Sequence, residues 1–95
     1  MLGALELDFE RSVLRSGAEQ IELSARELRI LRVLALEAGR IVSRRTLLRE
    51  AWDMNNAEQV ETRTVDVHMA KLRKKLGVHG ALIETVRGQG YRVCR

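Results

Sequence analysis

Five lysines and arginines and one histidine stand among residues 62–76, Thr-Arg-Thr-Val-Asp-Val-His-Met-Ala-Lys-Leu-Arg-Lys-Lys-Leu. Two kinds of chemistry are open to such a set. One is proton transfer by His68 with Asp66 orienting it; the other is capture of an anion by the cations. At positions i and i+2, Asp66 and His68 point to different sides of a helix, which removes the acid–base pair. His68 and His79 lack neighbouring ligands at metal spacing. Gly88-Gln89-Gly90 is not followed by a helical pattern, so it is no phosphate cradle. The chain is therefore expected to hold no catalytic residue, no metal and no cofactor, and the chemistry left is recognition of a polyanion.

Read as a helix, the same residues divide cleanly. At about 100° per residue from Val65, Met69 falls near 40°, Leu72 near −20° and Leu76 near 20°. That narrow apolar seam faces a core. On the opposite side lie Arg63, Val67, Ala70, Lys71 and Lys74, flanked by Thr64, His68 and Lys75 on one edge and by Asp66 and Arg73 on the other. Small, apolar and cationic groups projecting from a packed helix suit the major groove of DNA.

The rest of the chain must position that helix. Ninety-five residues make one domain with a single small core. The chain is 45% hydrophobic and only 3% aromatic, so aliphatic side chains must fill that core. No apolar run approaches the ~18 residues of a membrane span, and no signal-peptide pattern follows Met1. The lone cysteine, Cys94, makes an intramolecular disulfide impossible and fits a cytoplasmic setting. Charge is unevenly spread: residues 1–39 carry a balance of −2 and residues 40–95 one of +6. The basic half contains the helix just described, as a polyanion partner requires.

Residues 1–23 read as a small antiparallel meander of short strands around Ala4-Leu5-Glu6-Leu7, Ser12-Val13-Leu14-Arg15 and Gln20-Ile21-Glu22-Leu23. Ser24-Ala25-Arg26-Glu27 is a capping box that opens a helix running to about Ala38 and closed by Gly39. Leu28, Ile30, Leu31, Val33, Leu34 and Leu36 spread round most of this helix, which marks it as the central core element. Ile41-Val42 is an extended link long enough for one or two sheet hydrogen bonds. Ser43 caps a second helix reaching about Trp52, with Leu47, Leu48 and Ala51 inward. Residues 53–61 are polar and read as a loop. After the basic helix, residues 82–86 and 91–94 form a hairpin around Arg87-Gly88-Gln89-Gly90, whose glycines supply positive φ.

Two helices, the second basic, form a helix-turn-helix candidate, and the adjoining basic hairpin makes it a winged helix. The expected fold class is α+β: an N-terminal antiparallel sheet (1–23), a three-helix core (24–76) and a C-terminal hairpin wing (82–95). In such an arrangement an arginine at the hairpin suits a narrow minor groove.

Arg63 to Leu76, followed by Ile83-Glu-Thr-Val-Arg-Gly-Gln-Gly-Tyr-Arg92, resembles the effector domain of OmpR/PhoB-type response regulators. Leu23-Ser-Ala-Arg-Glu-Leu-Arg-Ile-Leu31, Ile41-Val-Ser-Arg-Arg-Thr-Leu-Leu48 and Trp52 match that family in order and spacing, so the resemblance covers nearly the whole chain. It implies a four-stranded N-terminal sheet, three helices and a hairpin, and sequence-specific binding of double-stranded DNA in transcription control. By the same resemblance Arg63 and His68 meet phosphates at the ends of the recognition helix; Thr64 joins the DNA-binding set from its place at the edge of the outward face. Val67 meets a thymine methyl. Lys71 reads a base at a position often held by arginine, which replaces a bidentate contact by a single point. Arg73 matches a further position that is often basic, and Thr85 and Arg87 match the wing, with Arg87 the minor-groove or backbone arginine. Trp52 matches a residue whose indole N–H can bond a phosphate, although its own chemistry favours a core or edge residue with a polar tip. Lys74 joins the DNA-binding set from its place on the outward helix face.

The sequence departs from the family at Ala70, where some relatives carry a basic residue, and in a somewhat long loop after Trp52. The resemblance assigns loop 53–61 to RNA polymerase and implies head-to-tail homodimers on direct repeats. It also implies a receiver domain phosphorylated by a sensor kinase. No receiver is visible in these residues. An effector domain excised from a longer regulator is expected, the alternatives being a stand-alone transcription factor or a winged helix used for protein association.

Overall fold

The computed structural model describes residues 5–52 and 61–93. Three antiparallel strands come first, β1 (Glu6–Asp8), β2 (Val13–Ser16) and β3 (Glu19–Glu22), in spatial order β1-β2-β3. The register pairs Leu7 with Leu14 and Leu14 with Ile21, so one apolar row crosses the sheet and faces the helices. At the first turn the Asp8 carboxylate accepts from the backbone N–H groups of Glu10 and Arg11, each at 3.1 Å. Its other oxygen takes Arg15 at 2.8 Å. The meander read from the sequence is thus present, but the four strands implied by the family resemblance become three among the described residues.

The capping box closes as expected: Glu27 N–H donates to Ser24 Oγ at 3.1 Å, and Ser24 N–H donates to Glu27 Oε1 at 2.8 Å. Helix α1 (Ala25–Leu36) stops two residues before the expected end. The chain then tightens, with Ala38 N–H on the Ala35 carbonyl at 3.2 Å before Gly39 turns at φ 84°. Ile30, Leu31 and Leu34 are buried, whereas Leu36 is 75% exposed. That corrects the expectation of a helix buried nearly all round: Leu36 projects roughly opposite the mean direction of the three buried residues.

Ser43 caps α2 (Arg44–Ala51) by accepting from Thr46 N–H at 3.1 Å. Leu47, Leu48 and Ala51 of α2 are fully enclosed. Helix α3 (Arg63–Leu76) starts without a side-chain cap on Thr62. Its first turn is instead wound tightly, with Val65 N–H on the Thr62 carbonyl at 3.0 Å. Asp66 near its start and Arg73, Lys74 and Lys75 near its end complement the helix dipole. The connection after α3 is a 3-10 helix (Gly77–Leu82) rather than a plain loop.

Strands β4 (Ile83–Val86) and β5 (Gly90–Val93) form the hairpin, with Val86 opposite Gly90. Its tip is Arg87-Gly88-Gln89, and Gly88 adopts φ 75°. The Ile41-Val42 link adds a single antiparallel bridge to β5: Val42 N–H reaches the Tyr91 carbonyl at 2.7 Å, and Tyr91 N–H returns to the Val42 carbonyl at 2.9 Å. Strand β5 therefore lies between β4 and the segment leading into α2. One hydrophobic cluster joins Leu5, Leu14 and Leu23 of the sheet region to all three helices and to Ile83, Tyr91 and Val93 of the hairpin.

Candidate nucleic-acid interface

Helix α3 is seated by the four residues of its apolar seam. Val65, Met69 and Leu72 have no exposure and Leu76 has 3%. Burial of such side chains stabilises by about 1.5–3 kcal/mol each, enough to fix the rotation of the helix. The opposite face is thereby turned outward: Val67 is 52% exposed, and Arg63, Ala70, Lys71 and Lys74 are exposed with it. Lys71 and Lys74 have no ion-pair partner among the described residues. Arg63 lies 3.3 Å from Glu61, but both side chains are open to water, so the pair holds little.

The flanks of α3 are tied to the rest of the molecule. On one side Lys75 Nζ donates to Glu27 Oε1 at 2.6 Å, so the carboxylate that caps α1 also anchors the end of α3. Burial alone would raise the Glu27 pKa. The hydrogen bonds from Lys75 and Ser24 outweigh it and hold the carboxyl below its ordinary value. His68 Nδ1 lies 2.9 Å from the Thr64 carbonyl; a carbonyl only accepts, so this bond needs the ring proton on Nδ1. The His68 ring also meets Trp52 edge-on, centroids 5.1 Å apart. Trp52 is only 8% exposed, with the Arg26 guanidinium 4.8 Å from its ring centre.

On the other side stands a cluster that the sequence reading did not identify. Asp66 Oδ1 accepts from Arg44 Nε at 2.7 Å and from the Tyr91 hydroxyl. Arg44 lies 5.0 Å from the Tyr91 ring centre and Arg73 lies 5.5 Å from it. One carboxylate thus joins α2, α3 and β5. Burial pushes Asp66 up, but the bonds from Tyr91 and Arg44 prevail and lower its pKa. Burial and the Asp66 carboxylate together raise the Tyr91 phenol. The Asp66 bond raises Arg44 against its desolvation. Spacing along the chain offers Asp66 only His68 as an acid–base partner, and the helix separates those two. The i, i+7 relation of Asp66 to Arg73 and the tyrosine of Gly-Gln-Gly-Tyr were the available signals.

This cluster makes a measurable prediction. Asp66→Asn should destabilise the fold by about 1–2 kcal/mol near neutral pH, the value of charge-assisted hydrogen bonds discounted for partial exposure. Because the folded pKa of Asp66 lies below its ordinary 3.8, its contribution is complete above that pH and lost as pH falls through the folded value. Urea unfolding of both proteins as a function of pH should therefore show the gap closing in acid. A gap that is constant down to the acid limit would show that Asp66 is not held ionised by these partners.

Arg73, expected to bind DNA, directs one edge of its guanidinium at the wing. Nε and Nη2 donate to the Ile83 carbonyl at 3.2 and 2.9 Å, and Nη2 donates to Thr85 Oγ1 at 2.5 Å. Thr85 and Arg87 are exposed on the wing. The structure thus brings Arg63, Val67, Lys71 and Lys74 onto one surface and ties the end of α3 to the strand that leads to Arg87. It places Trp52 inside and Thr64 and His68 half-buried at the edge. Residues 53–60 of the loop expected to touch RNA polymerase lie outside the described residues.

A basic helix held outward beside a glycine-tipped hairpin defines a winged-helix domain. Residues 18–93 match the family model described as transcriptional regulatory protein, C terminal. The phosphate regulon transcriptional regulatory protein PhoB of Escherichia coli is 40% identical over 90 residues, covering 93% of this chain and 38% of that protein. The probable transcriptional regulator ycf27 of Porphyridium aerugineum is 38% identical over 93 residues, covering 95% of this chain and 39% of that protein. The crystal structure of the Klebsiella pneumoniae RstA DNA-binding domain in complex with the RstA box superposes with a TM-score of 0.81 at 32% identity, over 99% of this chain and 94% of that one. The chain belongs to the family of OmpR/PhoB-type transcription regulator C-terminal domains, the winged-helix effector domains of response regulators. It spans about two fifths of the length of the curated relatives it matches. No helix among the described residues is long and apolar enough to cross a membrane.

Proposed function

We propose that this chain binds double-stranded DNA sequence-specifically, with α3 in the major groove and the hairpin at the minor groove or the adjoining backbone. The observation that carries this reading is the rotation of α3: its seam is sealed in the core while Val67, Lys71 and Lys74 project into solvent. In this reading Val67 packs on a thymine methyl and Lys71 makes a single-point contact to a base. Arg63, Lys74, Thr85 and Arg87 meet backbone phosphates, with Thr64 and His68 at the edge of the same surface. Trp52 supports His68 from below rather than standing free as a contact. The domain serves as the output unit of a cytoplasmic two-component regulator whose receiver is phosphorylated by a sensor kinase. It pairs with a second copy on direct repeats and engages RNA polymerase through loop 53–61. The greater length of the relatives supports the receiver, and the RstA domain solved on its DNA box supports the nucleic-acid partner.

Arg87 supplies the test. In band shifts on operator and unrelated duplexes, Arg87→Ala should weaken both nearly alike and reduce the salt slope by about 1, as expected for a phosphate contact. A change of preference confined to A·T-rich flanks would place Arg87 in the minor groove instead. Binding that is indifferent to both DNA and salt would overturn the reading in favour of protein association.

A further inference from the structure

Arg73 stands beside both members of one cross-strand pair of the hairpin. Thr85 and Tyr91 are register partners. The guanidinium donates to Thr85 Oγ1 at 2.5 Å and lies 5.5 Å from the centre of the Tyr91 ring. One further grip comes from earlier in α3, where Asp66 accepts the Tyr91 hydroxyl proton. The recognition helix therefore holds this pair at two points along its length, and the Ile83 carbonyl adds a third through Arg73.

The bond to Thr85 has a directional consequence. A threonine hydroxyl carries one proton and two lone pairs. With a guanidinium donating to one lone pair, the hydroxyl proton is turned away from Arg73, and polarisation by the cation makes it a better donor. Thr85 is exposed, two residues before Arg87. An oriented donor that is exposed where the wing adjoins α3 suits a backbone phosphate.

We propose that Arg73 is a positioning residue: it fixes the wing against α3 and turns the Thr85 hydroxyl outward as a phosphate donor, and it does not itself contact the DNA. The inference rests on the DNA-binding reading above. It differs from the DNA-binding role that the family resemblance implies for Arg73.

The two roles separate in a double-mutant cycle measured across salt. The probe is a duplex carrying the site recovered by selection from random sequences, with the intact chain as titrant. Thr85→Val keeps the shape of an exposed strand residue and should weaken binding about tenfold, while Thr85→Ser should restore most of it. Arg73→Ala should cause a similar loss, and the double variant should lie within about twofold of the weaker single variant. The salt slope of Arg73→Ala should equal that of the wild type, because no phosphate charge is given up. Additive losses, with a slope reduced by about 1, would show Arg73 contacting phosphate itself and would overturn the proposal. If Arg73→Ala proves too unstable to titrate, Arg73→Lys decides: lysine keeps the charge but not the fork, so positioning predicts continued loss and a direct charge contact predicts recovery. A wild-type chain that binds no duplex would remove the DNA-binding reading, and this inference with it.

Discussion

Raising salt from about 50 mM to about 200 mM is expected to weaken operator binding by roughly fortyfold. The estimate follows from the three cations assigned to phosphates, Arg63, Lys74 and Arg87, which set a log–log slope of about −2.7. The net charge of +4 does not by itself set this dependence, since several cations are already satisfied within the protein. Lys75 is taken by Glu27, Arg44 by Asp66, Arg15 by Asp8 and Arg92 by Glu84. On α3 and the wing, the cations that face outward are Arg63, whose pairing is solvated, and Lys71, Lys74 and Arg87. All but Arg87 lie on one side of α3. Each displaces a condensed counterion when it meets a phosphate, which is the origin of the slope. Fluorescence anisotropy over that salt range measures it directly. A slope near zero would mean that the basic surface serves something other than a polyanion.

Gly90→Ala is expected to be the most damaging single-methyl change in the wing, costing about 3 kcal/mol and lowering the melting temperature by roughly 15 °C. Two causes combine. Gly90 adopts φ 149°, a region that L side chains rarely occupy. A β-carbon there would lie 2.1 Å from the Val42 carbonyl oxygen and 2.9 Å from the Ser43 Cα, which are backbone atoms with nowhere to yield. Relief requires β5 to part from the Val42 segment, breaking the two hydrogen bonds of that bridge and shifting Tyr91 from Asp66. Gly17 is the control. It also has a positive φ, 59°, but a β-carbon there meets nothing within 4 Å, so Gly17→Ala should cost only the conformational penalty of about 1–2 kcal/mol. Equal costs at the two sites in thermal melts would show that the Gly90 contact is not tight.

Local chemistry made much of this architecture legible in the sequence. The capping box at Ser24, the seam from Val65 to Leu76 and the glycine-tipped hairpin are short-range patterns, and each has its structural counterpart. Helix faces were harder, because Leu36 belongs to an apolar run yet reaches solvent. Which side of a helix is covered depends on neighbours supplied by distant segments, and the pattern on α1 fitted several answers. The contacts within the site were least legible. Whether Arg73 faces a ligand or the wing depends on where β4 lies beside α3, and no spacing along α3 encodes that. Asp66, Arg44 and Tyr91 come from three different elements, so their meeting is a property of the tertiary fold. The fourth strand came from family resemblance, and the three strands read from the residues themselves match the described sheet.

Selection of binding sites from random duplexes, carried out in parallel with the wild-type chain and Lys71→Ala, probes the outward face of α3 most directly. The wild type should yield a defined motif. Lys71→Ala should lose preference at one position of that motif and bind the wild-type site about 1–3 kcal/mol more weakly. Identical motifs and affinities from the two proteins would contradict the assignment of this helix face to base recognition.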